Sequence, residues 1–170
     1  MNPSEAFDGD IDLLPGYAIR RLQQIAVGIF LQEMAAGGLN LTPVQFGALQ
    51  VVALQPGIDQ RTLAGRIALD TSTIGGVVDR LEARGWLQRR RSTEDRRARL
   101  LHLTPAGQQV LAQAVPGMLR AQQLILAPLP PGQRAQFMAM LHTLVTQNNE
   151  WSRAPSENPA TVGRQGSTIG

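Results

Sequence analysis

Arginine is the residue type whose distribution points most directly to a chemistry in this 170-residue chain. Ten of the sixteen arginines lie between Arg61 and Arg99 with five acidic residues, so this stretch carries +5. The remaining six arginines stand against eight acidic residues, which gives −2 and restores the net +3. A small basic region on a nearly neutral body is suited to hold a polyanion locally. Nucleic acid is the leading candidate.

The densest part of this region is typical of a β-hairpin. Residues 86–91 and 98–103 can pair around a tip at residues 92–97. Six arginines fall within residues 89–99, namely Arg89, Arg90, Arg91, Arg96, Arg97 and Arg99. An arginine at the tip of a narrow ribbon fits the minor groove of DNA, where the negative potential is concentrated. Asp95 is placed to orient a neighbouring arginine, and a purely structural hairpin has no need of so many.

Just upstream, a run of small hydroxyl residues opens a predicted helix: Thr71, Ser72 and Thr73. A helix start carries free backbone N–H groups that attract a phosphate, and hydroxyls there can reach base edges. Gly75 and Gly76 allow close approach to DNA but give up two side chains that could read bases.

Two arginines follow on the same helix, one turn apart. Arg80 and Arg84 could brace the DNA backbone. The alternative is that Asp79 and Glu82 pair with them on a solvated face.

The elements that must position these residues are mainly helical. The apolar spacing predicts helices over residues 14–36, from Thr42-Pro43 to Pro56-Gly57, near residues 60–67, from Asp70 to about Gly85, from Thr104-Pro105, and from about Pro131. The fifth should be kinked at Pro116-Gly117. The third and fourth, separated by a tight turn, indicate a helix-turn-helix. We therefore predict a flexible arm over residues 1–12, one domain over residues 13–150 and a disordered tail over residues 151–170.

Several function classes are disfavoured by what the sequence lacks. It contains no cysteine, and its two histidines, His102 and His142, have no ligand-like spacing. No nucleophile motif, paired-carboxylate arrangement or phosphate loop is evident, so we expect neither catalytic residues, metal nor cofactor, and no enzyme. The polar, acidic start is unlike a signal peptide, and no apolar run has membrane-spanning length. We expect a cytoplasmic protein without a membrane partner.

A specific set of residues resembles the MarR family, bacterial winged-helix repressors named for multiple antibiotic resistance. On the wing side these are Asp95-Arg96-Arg97-Ala98, Leu101, Leu103-Thr104-Pro105 and Gly107. Upstream they are Leu63-Ala64, Leu69-Asp70, Ser72-Thr73 and residues 78–85. The order of elements resembles the family from about residue 14 to residue 150.

The resemblance implies a mainly α homodimer whose first, fifth and sixth helices, about residues 14–36 and 105–150, interlock with a partner. The DNA-binding part would cover residues 42–104. Each fourth helix would enter a major groove of a pseudo-palindromic operator on double-stranded DNA. By position, Ser72 and Thr73 match family contacts to DNA, and Asp95 and Arg97 match the wing-tip pair. Gly76 departs from the larger polar or basic residue common in the family, and Pro116 is a second departure.

The resemblance also implies release from DNA by a small aromatic or phenolic acid, as in regulators of aromatic-acid catabolism such as that of hydroxylated nicotinate. An anionic aromatic effector needs an apolar slot and a cation. Candidate effector-binding residues are Tyr17, Arg20, Arg21, Phe46 and Gln50. The alternative is that both aromatics are ordinary core residues and both arginines are solvated. The absence of cysteine disfavours the thiol-oxidation branch of the family, and the scarcity of histidine and cysteine disfavours its zinc-responsive branch.

A different class of function stays open beside the repressor. A winged-helix module could bind an acidic protein instead of DNA. The hydroxyl-rich helix start beside an arginine-rich wing favours DNA, because the two together suit adjacent grooves. Binding to a defined palindrome would distinguish the two.

Overall fold

The computed structural model describes residues 10–92, 99–152 and 154. Within them the order is α1 (Pro15–Ala36), α2 (Pro43–Leu54), β1 (Ile58–Asp59), α3 (Gln60–Arg66), α4 (Thr71–Ala83), β2 (Leu87–Arg91), β3 (Arg99–Leu103), α5 (Pro105–Leu126) and α6 (Pro131–Gln147). Short 3-10 turns at Ile11–Leu13 and Asn149–Trp151 flank this series. The mainly α fold, the six predicted helices and the hairpin are confirmed.

The helix starts form where local polar side chains satisfy the free N–H groups. At α2 the Thr42 hydroxyl accepts from the Gln45 N–H at 3.2 Å, while the Gln45 side chain accepts from the Thr42 N–H at 3.1 Å. Thr104 caps α5 in the same way, accepting from the Gly107 N–H at 3.0 Å. Asp59 caps α3 through the Thr62 N–H at 2.9 Å. Such caps each contribute about 1 kcal/mol and fix where a helix begins.

The hairpin belongs to a three-stranded antiparallel sheet in the order β1-β3-β2. Strands β2 and β3 pair from Leu87 opposite Leu103 to Arg91 opposite Arg99. Strand β1, which the sequence pattern did not predict, adds Ile58 opposite Leu101. Leu87 and Leu101 are buried, so the base of the wing is anchored in the core while its far end extends away.

The core lies where α2, α3, α4 and the sheet meet, against one end of the α1–α5 pair. Its fully buried larger side chains are Met34, Leu41, Leu49, Val52, Leu63, Ile74, Val78, Leu81, Leu87 and Leu101. Helices α1 and α5 cross closely at Gly117, where an added Cβ would stand 2.9 Å from Met34 Cε and 3.1 Å from the Glu33 carbonyl oxygen. Helix α5 continues through Pro116, and a kink at Pro116-Gly117 stays a prediction.

Two short 3-10 turns lie at the predicted limits of the arm and the tail. The last two residues of the predicted arm over residues 1–12 belong to the 3-10 turn Ile11–Leu13. Asp12 Oδ1 lies 3.7 Å from Arg21 Nη1. Trp151, the first residue of the predicted tail, completes the second turn. Residues 1–9, 153 and 155–170 lie outside the described residues. In the described part of the chain, no helix combines the length and apolarity needed to cross a bilayer.

Candidate DNA-binding surface

The start of α4 is organised by its own capping residue. The Asp70 carboxylate accepts from the Thr73 N–H at 2.9 Å, from the Thr73 hydroxyl at 2.7 Å and from the Ser72 hydroxyl. These hydrogen bonds, that of Ser72 first and then those of Thr73, lower the pKa of Asp70 from 3.8 to about 2. The Thr73 N–H expected to attract a phosphate is therefore already occupied by a carboxylate.

This arrangement changes what the hydroxyl groups can offer to DNA. The hydroxyl groups of Ser72 and Thr73, both exposed residues, donate hydrogen bonds to Asp70, so their oxygens are left as acceptors. Acceptors suit the exocyclic amino groups of adenine and cytosine in the major groove. Thr71 is also exposed at the first position of the helix. The capping role of Asp70, three residues before Thr73, is the signal that sequence reasoning could have used for this effect.

The two sides of α4 are sharply different. Ile74, Val77, Val78 and Leu81 are buried against the domain. On the other side, Ser72 and Arg80 are exposed, and Gly76 lies between them at steps of four residues. An added Cβ at Gly75 would stand 3.5 Å from the Gln60 amide nitrogen, so this glycine faces α3. The exposed face of the second helix of the helix-turn-helix thus runs through positions 72, 76 and 80.

Arg89 is engaged inside the protein. Its guanidinium pairs with Asp79 at 2.5 Å and with Glu82, and it donates to the Gln60 amide oxygen at 3.3 Å. The side chain is only 22% exposed. Burial acts to lower the pKa of Arg89, but its hydrogen bonds and charge interactions with Asp79 and Glu82 outweigh this and raise the pKa.

This ion-pair cluster ties the wing to α4. The backbone N–H of Arg89, on β2, also donates to Glu82 at 3.1 Å. Sequence reasoning proposed Asp79 and Glu82 as alternative partners for Arg80 and Arg84, whereas the structure gives both carboxylates to Arg89. A phosphate contact by Arg89 stays a prediction, and its guanidinium already faces two anions.

Arg84 lies at the opposite end of α4 from the hydroxyl residues. Its guanidinium donates to the Asn40 carbonyl and lies 4.8 Å from the centre of the Trp86 ring. Arg90 is exposed on β2, opposite Leu100 on β3. The remaining predicted contacts, Asp95, Arg96 and Arg97, lie outside the described residues.

The wing base is locked to the start of α5. The Thr104 hydroxyl donates to the Gly85 carbonyl at 2.5 Å, and the Thr104 N–H donates to the Trp86 carbonyl at 3.1 Å. Gly107 packs directly against the Trp86 carbonyl group, and an added Cβ at this position would stand 2.0 Å from the Trp86 carbonyl oxygen. Gly85 has φ +71°, a conformation that glycine adopts without strain.

The five candidate effector residues fall into two groups. The Arg20 guanidinium lies 5.1 Å from the centre of the Tyr17 ring, and Arg21 pairs with Asp12. Phe46 instead packs edge-on against Phe30, with 5.9 Å between the ring centres. Gln50 follows one turn later on α2. Tyr17 and Phe30 are thirteen positions apart on α1, which corresponds to about 20 Å of helix. One chain therefore does not bring the two groups together, and only the packing of Phe46 against Phe30 reveals this separation.

No cluster of three or more histidine or acidic side chains among the described residues could hold a metal ion. The described residues bring together a helix-turn-helix whose second helix, α4, has an exposed face, and a β-hairpin that is tied to this helix through Arg89. This is the arrangement of a winged helix-turn-helix DNA-binding domain.

Comparison with known proteins agrees with this class. Residues 41–98 match the model of the MarR family. A putative transcriptional regulatory protein for the hcr operon of Thauera aromatica is 36% identical over 147 residues, covering 86% of this chain and 84% of that protein. The transcriptional repressor CouR, solved bound to a 23-mer DNA duplex, is 32% identical with a TM-score of 0.73, covering 81% of this chain and 96% of that one.

A further similar structure is that of BpsR from Bordetella bronchiseptica, described as regulated in DNA binding by 6-hydroxynicotinic acid. It is 29% identical with a TM-score of 0.73, covering 79% of this chain and 95% of that one. The chain belongs to the MarR family of winged-helix transcriptional regulators.

Proposed function

We propose that this regulator is a cytoplasmic homodimeric repressor that binds a pseudo-palindromic operator and is released by a small aromatic or phenolic acid. The observation that carries the proposal is the exposed face of α4 beside an anchored arginine-bearing strand. Similarity to a repressor solved on DNA, and to a regulator whose DNA binding is described as regulated by 6-hydroxynicotinic acid, supports the repressor and effector parts.

The dimer is supported by apolar surface that one chain leaves uncovered. No residue of α6 is buried in the described chain. The large apolar side chains exposed on α5 and α6 are Leu119, Leu124, Met138, Met140, Leu144 and Val145, each between 46% and 59% exposed. Large apolar side chains exposed in this number favour an interface with another chain. A second copy, interlocking α1, α5 and α6, would bury it and place two α4 helices for two half-sites.

The proposed contacts on DNA follow from exposure. Thr71, Ser72, Thr73 and Arg80 would face the major groove from α4. Arg90 would contact phosphate, and the wing residues Asp95, Arg96 and Arg97 would reach the minor groove. Arg84 and Arg89 would act mainly by holding α4 against its neighbours, because both guanidinium groups already have partners inside the protein.

The proposed effector is an aromatic carboxylate. Phe46 and Gln50 are half-buried near the junction of α1 and α2 with the α4 layer, and could bind a flat ring. The Tyr17, Arg20 and Arg21 group offers cations for a carboxylate, but Tyr17 is separated from Phe30, the neighbour of Phe46, by about 20 Å along α1 in the same chain. A single pocket using both groups would need the first helix of a second copy. A ligand bound there would change the spacing of the two α4 helices.

Sedimentation analysis combined with an operator-release assay tests this proposal. We expect a dimer that binds DNA from upstream of its own gene and dissociates when 6-hydroxynicotinate, benzoate or 4-hydroxybenzoate is titrated in. Alanine replacement of Arg20 should raise the acid concentration required without weakening DNA binding in its absence. A monomer would overturn the dimer, and binding unaffected by every acid would overturn the effector class. Retention of the protein by an acidic protein partner, with no preference among duplexes, would favour the interaction module.

A further inference from the structure

The guanidinium of Arg80 lies over the position where α4 has no side chain. An added Cβ at Gly76 would stand 3.7 Å from Arg80 Nη1 and 3.9 Å from Arg80 Nη2. Both terminal nitrogens of the arginine therefore lie one turn toward the helix start, next to the α4 backbone. Side chains on a helix tilt toward its N-terminus, so the direction is the one expected for an arginine at position 80.

The charge of Arg80 is available because its acidic neighbours are engaged elsewhere. Asp79 precedes it and Glu82 lies two residues later, and both pair with Arg89. Arg80 is exposed, and among the described residues it takes part in no ion pair or hydrogen bond. Both neighbouring carboxylates thus pair with Arg89, and in the described part of the chain the Arg80 guanidinium on the outer face of α4 stays unpaired.

This face is the one that would enter the major groove. Ser72, Gly76 and Arg80 follow at steps of four residues, opposite the buried Ile74 and Leu81. A guanidinium offers only donors, in a planar fork that matches the N7 and O6 acceptors of guanine. Gly76 contributes no side chain to keep the fork away from the bases.

Resting on the proposed function, we infer that Arg80 is a base-reading residue that selects guanine in each half-site, in the space left open by Gly76. In this role Arg80 does more than brace the DNA backbone, because its fork discriminates between base pairs. The acceptors of Ser72 and Thr73 would read a neighbouring amino group, so Arg80 supplies the donor part of the helix's recognition.

The test is selection of bound sequences from a random duplex library by wild type, Arg80→Lys and Arg80→Ala. Lysine keeps the positive charge but loses the planar fork. Arg90→Lys serves as the matched control, because Arg90 is an exposed arginine on the wing strand. Dimer mass and melting temperature show that each variant is folded.

The wild type should select guanine at one position in each half-site, and replacing that base pair should weaken its binding about tenfold. Arg80→Lys and Arg80→Ala should lose the preference at that position, to less than about twofold, and keep the rest of the consensus, while Arg90→Lys keeps it all. An unchanged consensus in Arg80→Lys, with evenly weaker binding in Arg80→Ala, would show a phosphate contact and overturn the inference alone. Failure of the wild type to enrich any sequence would overturn the proposed operator binding as well.

Discussion

Replacing Arg89 with alanine is the perturbation that best separates two roles for the wing strand. If Arg89 holds the wing to α4, its loss leaves two carboxylates facing each other without a cation. If it contacts phosphate, its loss leaves the fold intact and weakens binding to every DNA sequence. The structure favours the first role, because the guanidinium is 22% exposed and paired with both Asp79 and Glu82.

The size of the effect follows from the exposure of each partner. Glu82 is 40% exposed and also accepts the Arg89 backbone N–H, so we assign its pair with the guanidinium about 1 kcal/mol. Asp79 is 67% exposed, which places its pair at roughly 0.5 kcal/mol. The half-buried aliphatic stem of the arginine contributes a similar amount through packing. We therefore expect Arg89→Ala to lower the free energy of unfolding by about 2 kcal/mol.

Urea denaturation of Arg89→Ala, Glu82→Gln and the double variant measures this directly. The double-mutant cycle should give a coupling energy of about 1 kcal/mol between the two side chains. In parallel, the slope of log binding constant against log salt should be unchanged in Arg89→Ala, whereas a lost phosphate contact would reduce it by about 0.9. The structural role would be refuted if both single variants had wild-type stability with no coupling between them, and if the salt slope of DNA binding were reduced in Arg89→Ala. Such a result would restore the phosphate contact.

Three further predictions concern glycines and the helix cap. Gly107→Ala should destabilise the domain by roughly 3 kcal/mol in urea denaturation, since its Cβ would meet the Trp86 carbonyl oxygen at 2.0 Å; wild-type stability would contradict this packing. Gly76→Ala should stabilise α4 by about 0.5–1 kcal/mol and keep the DNA preference, because its Cβ makes ordinary contacts with Arg80; a changed preference would count against this. The lowered pKa of Asp70 means that its stabilising effect is complete above pH 3.8 and is lost as the pH falls toward about 2. In thermal denaturation, the Asp70→Ala variant should therefore lose less stability than the wild type as the pH falls through that window. Identical pH profiles of the two proteins would contradict the capping role of Asp70.

The parts of the fold that follow from local chemistry could be predicted from the sequence. Thr42 with Gln45, Asp59 and Thr104 each mark a helix start within four residues, and all of them cap helices in the structure. The two-residue strand β1 could not be predicted, because a pattern that short has no period to detect. It exists only because β3 passes beside it.

The candidate site shows the same division between local and distant determinants. The hydroxyl run at the start of α4 and the exposed Arg80 were predictable, because both depend on a single helix. The partners of Arg89 were not, since Glu82 and Arg89 meet only after the chain reverses at Gly85. Apolar spacing correctly identified α1, α5 and α6, but it does not tell whether a neighbouring helix or a second copy covers each stripe.

The central claim is that α4 and the wing read a specific DNA sequence, and fluorescence anisotropy tests it most directly. Labelled DNA from upstream of this protein's own gene would be compared with a shuffled duplex of the same composition at several salt concentrations. We predict salt-sensitive binding to the upstream duplex at nanomolar concentration, at least about a thousandfold tighter than to the shuffled one. Equal and weak binding to this duplex, its shuffled version and duplexes from neighbouring promoters would contradict the account.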